Sequence, residues 1–311
     1  MIKESIMMKK TGLAVAAVLT AALLAGCSGA QQVSDVDIII AGKDPAGMAA
    51  AIQAADKGTD PSRILVVGGS KWMVYGEEKS MNAAGTEEQA EAGIQDSADL
   101  YAEDTMKAGG ENNNPEMVRR LAEGSRDALE WVKALGVDLT GVTQESGSSV
   151  ARSYEAADGG VLGKEIEEKM EESFDALDVK VDENAVLSQI FLGDDGGVAG
   201  VKVRRNGKEQ TIACRALLVT DPDCLELLEN AKPAYISDVM GDHDGITVDG
   251  HANVVTADGK KIPGLYGAGM AVAAALHGGG AAAALPGNEL TGVLVFGITA
   301  GAEASSLAAG K

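Results

Sequence analysis

The apolar run Asp37-Ile38-Ile39-Ile40-Ala41 leads into Gly42-Lys43-Asp44-Pro45-Ala46-Gly47 and then Met48-Ala49-Ala50-Ala51, a buried strand, a tight turn and a helix. Such a turn can cradle the pyrophosphate of a dinucleotide if it carries three glycines. One bends the chain, one lets the backbone approach the phosphates and one lets helix and strand pack closely. Gly42 and Gly47 stand at the first and third positions, but Asp44 holds the second. A carboxylate therefore lies where a diphosphate would. Asp followed by Pro is also a good N-cap and first-turn pair for a helix with no ligand. The expectation is a helix start that satisfies its own amides.

Other reactive side chains are few. Asp242-His243-Asp244, with Asp249 and His251 nearby, could hold a divalent cation, yet loosely spaced turn residues of this kind are read as solvated, and no metal site is assigned. Cys214 and Cys224 flank a predicted strand with no His or Cys at ligand spacing, so two buried thiols are favoured over a disulfide. Acidic runs such as Glu77-Glu78 read as solvated faces.

The elements that must position these residues follow from periodicity. Arg63-Ile64-Leu65-Val66-Val67 completes a β-α-β unit with the first strand and helix, which predicts a parallel sheet. Helices are predicted over residues 97–108, 115–135, 163–177, 222–229 and 288–307. Short strands are predicted over 179–181, 185–192, 198–205, 210–214, 216–220, 246–248, 254–255 and 265–268. Asp194-Asp195-Gly196-Gly197 and Asn206-Gly207 are hairpin signals, so a three-stranded meander with a return strand is expected. Trp131, Val132 and Leu135 read as core.

At 311 residues the chain can bury a sizeable core. Its 45% hydrophobic and 23% charged content is that of a folded globular protein. A formal charge of −21 with no basic cluster excludes nucleic acid as the expected partner, and 3% aromatic residues leave few stacking platforms for bases or sugars. At the N-terminus, Lys9 and Lys10 precede the apolar run Leu13 to Leu24, which is short for a bilayer span. It ends in Leu24-Ala25-Gly26-Cys27 and resembles a bacterial lipoprotein signal with its lipobox. That resemblance implies cleavage after residue 26, lipidation of Cys27, a polar tether over 27–35 and an extracytoplasmic protein anchored by lipid to the bacterial cytoplasmic membrane. The competing reading is an uncleaved membrane helix with a chance cysteine.

From Val36 to Ala304 the residues resemble the FAD-dependent fumarate-reductase-like flavoproteins, kin of the succinate dehydrogenase flavoprotein subunits. The resemblance is carried by the strand-turn-helix above and by Met81-Asn82-Ala83-Ala84-Gly85-Thr86, Tyr101-Ala102-Glu103-Asp104-Thr105 and Trp131-Val132-Lys133-Ala134-Leu135-Gly136-Val137. Ile262-Pro263-Gly264-Leu265-Tyr266-Gly267-Ala268-Gly269 adds a further match. It implies an α/β fold over 36–308: a Rossmann-like FAD-binding domain with a parallel sheet, a β-meander insertion and flanking helices. FAD is the implied cofactor, with Gly42, Asp44, Ala46, Gly47, Gly68, Ala185, Val186, Gly269, Gly287 and Asn288 at the cofactor-binding positions.

Departures from the family pattern fall on the ligand contacts. Asp44 replaces a glycine, and Gly68 replaces the acidic residue for the adenosine ribose. The Gly-Gly-Asn-Ser flavin loop is absent, with Tyr75-Gly76-Glu77-Glu78-Lys79-Ser80 in its region. Val219-Thr220-Asp221-Pro222 stands for Ala-Thr-Gly-Gly, and Met270 for a glutamate. The family's substrate-clamping arginine aligns with Ala284, between His277-Gly278-Gly279-Gly280 and Leu285-Pro286-Gly287-Asn288. A capping domain is missing between Asp221 and Asp242. Arg152 and Tyr154 resemble a segment lining the substrate side and are the expected surviving polar contacts. His277 is read as a helix-terminus residue rather than a ligand. The segment 271–276 and the glycines after it read as a loop that either moves or fills an emptied pocket. No catalytic residue is assigned. The leading reading is a degenerate, anchored pseudoenzyme that binds a partner protein or small ligand. The others are an active FAD oxidoreductase acting on a small enoate, and a half-enzyme completed by a partner chain.

Overall fold

Three short apolar runs, buried on both faces, make the centre of the fold. They are β1 (Ile38–Lys43), β2 (Ile64–Ser70) and β10 (Ala216–Val219). A computed structural model of the chain describes residues 36–70, 75–221, 224, 227, 245–256, 258–279 and 284–310, all in one compact unit. Residues 1–35 with the expected signal and Cys27, the residues 222–223, 225–226 and 228–229 of the predicted 222–229 helix, and Asp242, His243 and Asp244 lie outside the described residues.

β1 pairs in parallel with β2 on one side and β10 on the other, Ile39 opposite both Leu65 and Leu217. With β6 (Lys180–Asp182), β11 (Asn253–Val255) and β12 (Lys261–Gly267) they form a six-stranded sheet in the order β11-β12-β10-β1-β2-β6. Only the β11–β12 pair is antiparallel. Near-continuous Ile, Leu and Val runs are what a parallel sheet covered on both faces requires. The meander is present: β7 (Ala185–Leu192), β8 (Val198–Arg205) and β9 (Lys208–Ala213) pair antiparallel. Asn206 and Gly207 have φ of 50° and 74° at the β8–β9 turn, as a two-residue primed hairpin demands.

Helix α1 (Pro45–Asp56) follows β1. Next come α2 (Glu87–Glu91), α3 (Ala98–Ala108), α4 (Pro115–Ala134) and α5 (Leu162–Asp175). Each start carries the cap its sequence offers, except α5. Thr86 and Gln89 form a capping box, Ser97 accepts from Leu100 N, and Asn114 accepts from Glu116 N and Met117 N. Helix α6 (Met270–His277) corrects the expected loop over 271–276. The closing helix α7 (Asn288–Ala308) is long and apolar enough to cross a membrane, but 72% of its most apolar stretch is buried in the fold, where it serves as a core helix. It lies directly on α1: a Cβ on Gly297 would sit 2.6 Å from the Ala46 carbonyl oxygen, and one on Gly301 2.3 Å from that of Ala50.

One sheet was not expected. β3 (Ser80–Asn82), β4 (Leu139–Thr143) and β5 (Ser153–Ala156) pair antiparallel in the order β3-β5-β4. Between β10 and β11 the chain has 33 residues, 220–252, the stretch from which a capping domain is expected to be missing.

Candidate functional site

The start of α1 is built by the chain for its own needs. Gly42, one residue before the end of β1, has φ 133°, and a Cβ there would meet the Thr220 hydroxyl at 2.1 Å. That hydroxyl donates to the Ala41 carbonyl at 3.0 Å and so ties β1 to the end of β10. A Cβ on Gly47 would lie 2.1 Å from the Gly42 carbonyl oxygen. Both glycines are therefore required by close packing, with or without a ligand. Asp44 is the N-cap, 5% exposed, and its Oδ1 accepts from Gly47 N at 2.9 Å. The amide that could greet a phosphate is already bonded to a carboxylate.

Beside this helix start, at the carboxyl ends of β1 and β2, lies a cleft of about 230 Å³. Ligands of open α/β sheets bind at this end of the strands. Gly42, Gly68, Ala185 and Val186 all line it, with Val67, Gly69 and Leu187. Gly68 has φ 103° and nothing within 4 Å of a Cβ, so the floor is open backbone. The cleft also carries two carboxylates, Glu183 and Asp221, and among the described residues that line it there is no Lys or Arg.

Glu183 was not singled out from the sequence. Its signal is topological: β6 pairs with β2 with Val67 opposite Asp182, so the next residue stands at the carboxyl end of the sheet beside Gly68. Asp44, Ala46 and Gly47 sit next to the cleft without lining it. Gly269, at φ 61°, lies behind the helix start, where a Cβ would be 3.2 Å from that of Ala46. Gly287 and Asn288 belong to a different place. Asn288 Oδ1 accepts from Asn82 Nδ2 at 2.8 Å and from the Tyr101 hydroxyl at 2.6 Å, while its Nδ2 donates to Thr105 Oγ1 at 3.0 Å. This buried polar knot joins β3, α3 and α7, and consumes the side chain.

Arg152 and Tyr154 correct the expectation of polar contacts on a substrate side. Arg152 is fully buried, with Nη2 3.1 Å from Asp96 Oδ1 and 2.9 Å from Asp104 Oδ2, and its guanidinium lies 4.7 Å from the centre of the Tyr101 ring. Asp104 Oδ2 also accepts from Ser149 N at 2.8 Å. The Tyr154 hydroxyl is bonded to Thr86 Oγ1. These groups hold β5, α2 and α3 together and do not line the cleft at the carboxyl ends of β1 and β2. His277 is the last residue of α6, 3% exposed, with its Nδ1 without a partner among the described residues. Burial pushes its pKa down to about 4. Cys214 and Cys224 are both buried thiols, and burial pushes the Cys214 thiol up to about 12.

These residues fit one part of a flavin dinucleotide and not another. The glycine-floored end of the cleft offers room and backbone for a nucleoside-sized group. At the phosphate end, an oxyanion would meet Asp44 on its amide and Asp221 on the wall, with no lining cation among the described residues. The diphosphate does not fit this arrangement.

Residues 37–240 match the family described as "FAD binding domain". The chain is 33% identical over 172 residues to a fumarate reductase (cytochrome) of Shewanella frigidimarina, covering 54% of this chain and 30% of that protein. It is 29% identical over 205 residues to the acrylate reductase flavoprotein subunit of Shewanella woodyi, covering 63% and 39%. The chain thus spans well under half the length of these curated relatives. The open conformation of a flavocytochrome c3 fumarate reductase superposes with a TM-score of 0.74 at 16% identity, over 97% of this chain and 83% of that one, which establishes the fold.

Proposed function

This chain belongs to the FAD binding domain family, and from that premise we propose that it is a degenerate relative of the fumarate-reductase-like enzymes, retained as a binding or scaffold protein without flavin chemistry. The observation that carries this reading is the Asp44 carboxylate bonded to Gly47 N at 2.9 Å, where the helix start would otherwise be open to a phosphate. Ala284 at the expected substrate-clamping position and the short connection over 220–252 support it. An alanine cannot hold a carboxylate, and the 33 residues of 220–252 are few for a separate capping domain. The glycine-floored cleft is what the scaffold retains for a ligand or partner.

The same proposal places the domain outside the bacterial cytoplasmic membrane, held by a lipid on Cys27, in keeping with the Leu24-Ala25-Gly26-Cys27 sequence. Metabolic labelling with a clickable fatty acid tests this part. Label retained by the wild type and lost in Cys27→Ser is the expected result, and equal labelling overturns it.

The visible spectrum tests the chemistry. Folded protein is incubated with excess FAD, desalted and scanned. Colourless protein with an intact circular dichroism spectrum is expected. A retained flavin band would overturn the degenerate reading in favour of an active oxidoreductase.

A further inference from the structure

On another part of the surface, α1, α4 and α7 enclose a groove of about 440 Å³ that shares no lining residue with the cleft. Its floor is small and apolar. Gly124 of α4 sits so close to α7 that a Cβ would lie 2.8 Å from Val295 Cγ1. Trp131 stands half-buried along the wall. The loop that closes one end is pinned by Gly250 N donating to Glu116 Oε1 at 3.0 Å.

The groove brings two cations together in a chain of 47 acidic and 26 basic residues. Elsewhere Lys133 pairs with Glu88 and Lys261 with Asp249. The two cations lining the groove, Lys57 and Arg120, have no carboxylate within 4 Å among the described residues. Of the two carboxylates in its lining, Glu303 is bonded to His251 Nδ1 at 2.7 Å, and Asp127 is turned to solvent, 84% exposed and 3.8 Å from Arg126 Nε.

Arg120 is also held in place. Its Nε and Nη2 donate to Thr299 Oγ1 at 3.2 and 2.8 Å, and that hydroxyl donates to the Val295 carbonyl at 2.7 Å. Nη1 makes no hydrogen bond to the described residues. A guanidinium fixed by neutral partners, with donors to spare, is preorganised for a planar anion. Small apolar residues and an aromatic wall beside polar groups that fix orientation are features small-molecule sites use, and half of this lining is polar.

We propose that this groove binds a small organic carboxylate with a flat apolar body, its head on Arg120 and Lys57 and its body against Trp131 and the floor. The site is independent of the cleft, so the outcome of the flavin experiment does not bear on it.

Calorimetric titration of the full, folded chain with sodium 2-naphthoate, set against neutral 2-naphthylmethanol, tests the proposal. Saturable binding of the naphthoate is expected, with the alcohol at least tenfold weaker. Arg120→Gln should weaken naphthoate at least tenfold, and Lys57→Glu several-fold. Lys57 is exposed at the end of α1, so its variant carries the test alone if Arg120→Gln does not fold. Absence of saturable binding up to millimolar naphthoate overturns the proposal, as does equal affinity for the alcohol or indifference to the charge substitutions.

Discussion

Replacing Asp44 separates its two roles, as a helix cap and as a barrier to phosphate. The carboxylate is 5% exposed and accepts from Gly47 N at 2.9 Å. Loss of such a cap costs about 1 kcal/mol in Asp44→Ala, whereas glycine at an N-cap costs only about a few tenths. Asn caps as well as Asp, so Asp44→Asn keeps the cap and removes the charge. A phosphate oxygen seeking the same amide would stand about 5 Å or less from the carboxylate. At an effective dielectric of about 20, two like unit charges at that separation repel by about 3 kcal/mol, which is about a hundredfold in affinity. Equilibrium dialysis against FAD and urea denaturation, run on the four proteins, read the two roles independently. Asp44→Gly is expected to bind FAD about a hundredfold more tightly than the wild type at nearly unchanged stability, and Asp44→Ala to lose about 1 kcal/mol. If Asp44→Ala shows the lost cap while Asp44→Gly gains no FAD, the carboxylate is not what excludes the diphosphate, and the reasoning fails.

Gly301→Ala should destabilise the fold by about 1–3 kcal/mol in denaturant titrations, because its Cβ would sit 2.3 Å from the Ala50 carbonyl oxygen and force α7 off α1. Arg152→Met should cost about 3–5 kcal/mol, since it strands the buried carboxylates of Asp96 and Asp104; a loss under 1 kcal/mol would show that the cluster is solvated. His277 gives a pH dependence. Its folded pKa of about 4 lies below the ordinary 6.5, so the unfolded state binds the extra proton between these values. Stability is therefore full above about pH 6.5 and falls as pH drops toward 4, by about 3 kcal/mol in all. His277→Leu should remove that slope from denaturation midpoints measured between pH 7.5 and 4.5, and an unchanged slope would assign it elsewhere.

What could be read from the chain alone is what neighbours in sequence decide. Asp44 caps an amide three residues away, and the burial of Ile38, Ile39 and Ile40 needs only a parallel sheet to receive them. Asn206-Gly207 sets its own turn because the two residues tolerate positive φ, and the meander follows from that register. Helix α6 was missed because Gly269 offers no side-chain cap, leaving an alanine-rich run with no start signal. The β3-β5-β4 sheet was missed for a different reason. β3 has only three residues, and Asn82 finds its partner Ser153 across 71 positions of chain. Arg152 passed as a substrate-side contact because no local pattern shows that Asp96 and Asp104 close on it from α3 and the loop before it. Glu183 enters the cleft only because β6 pairs with β2, and the Arg120 groove exists only where α1, α4 and α7 meet. Local spacing thus determined the strands, caps and turns. Which charges are sealed in the core and which remain open to a ligand was decided by long-range packing, since a side chain's partners are set by where distant segments dock.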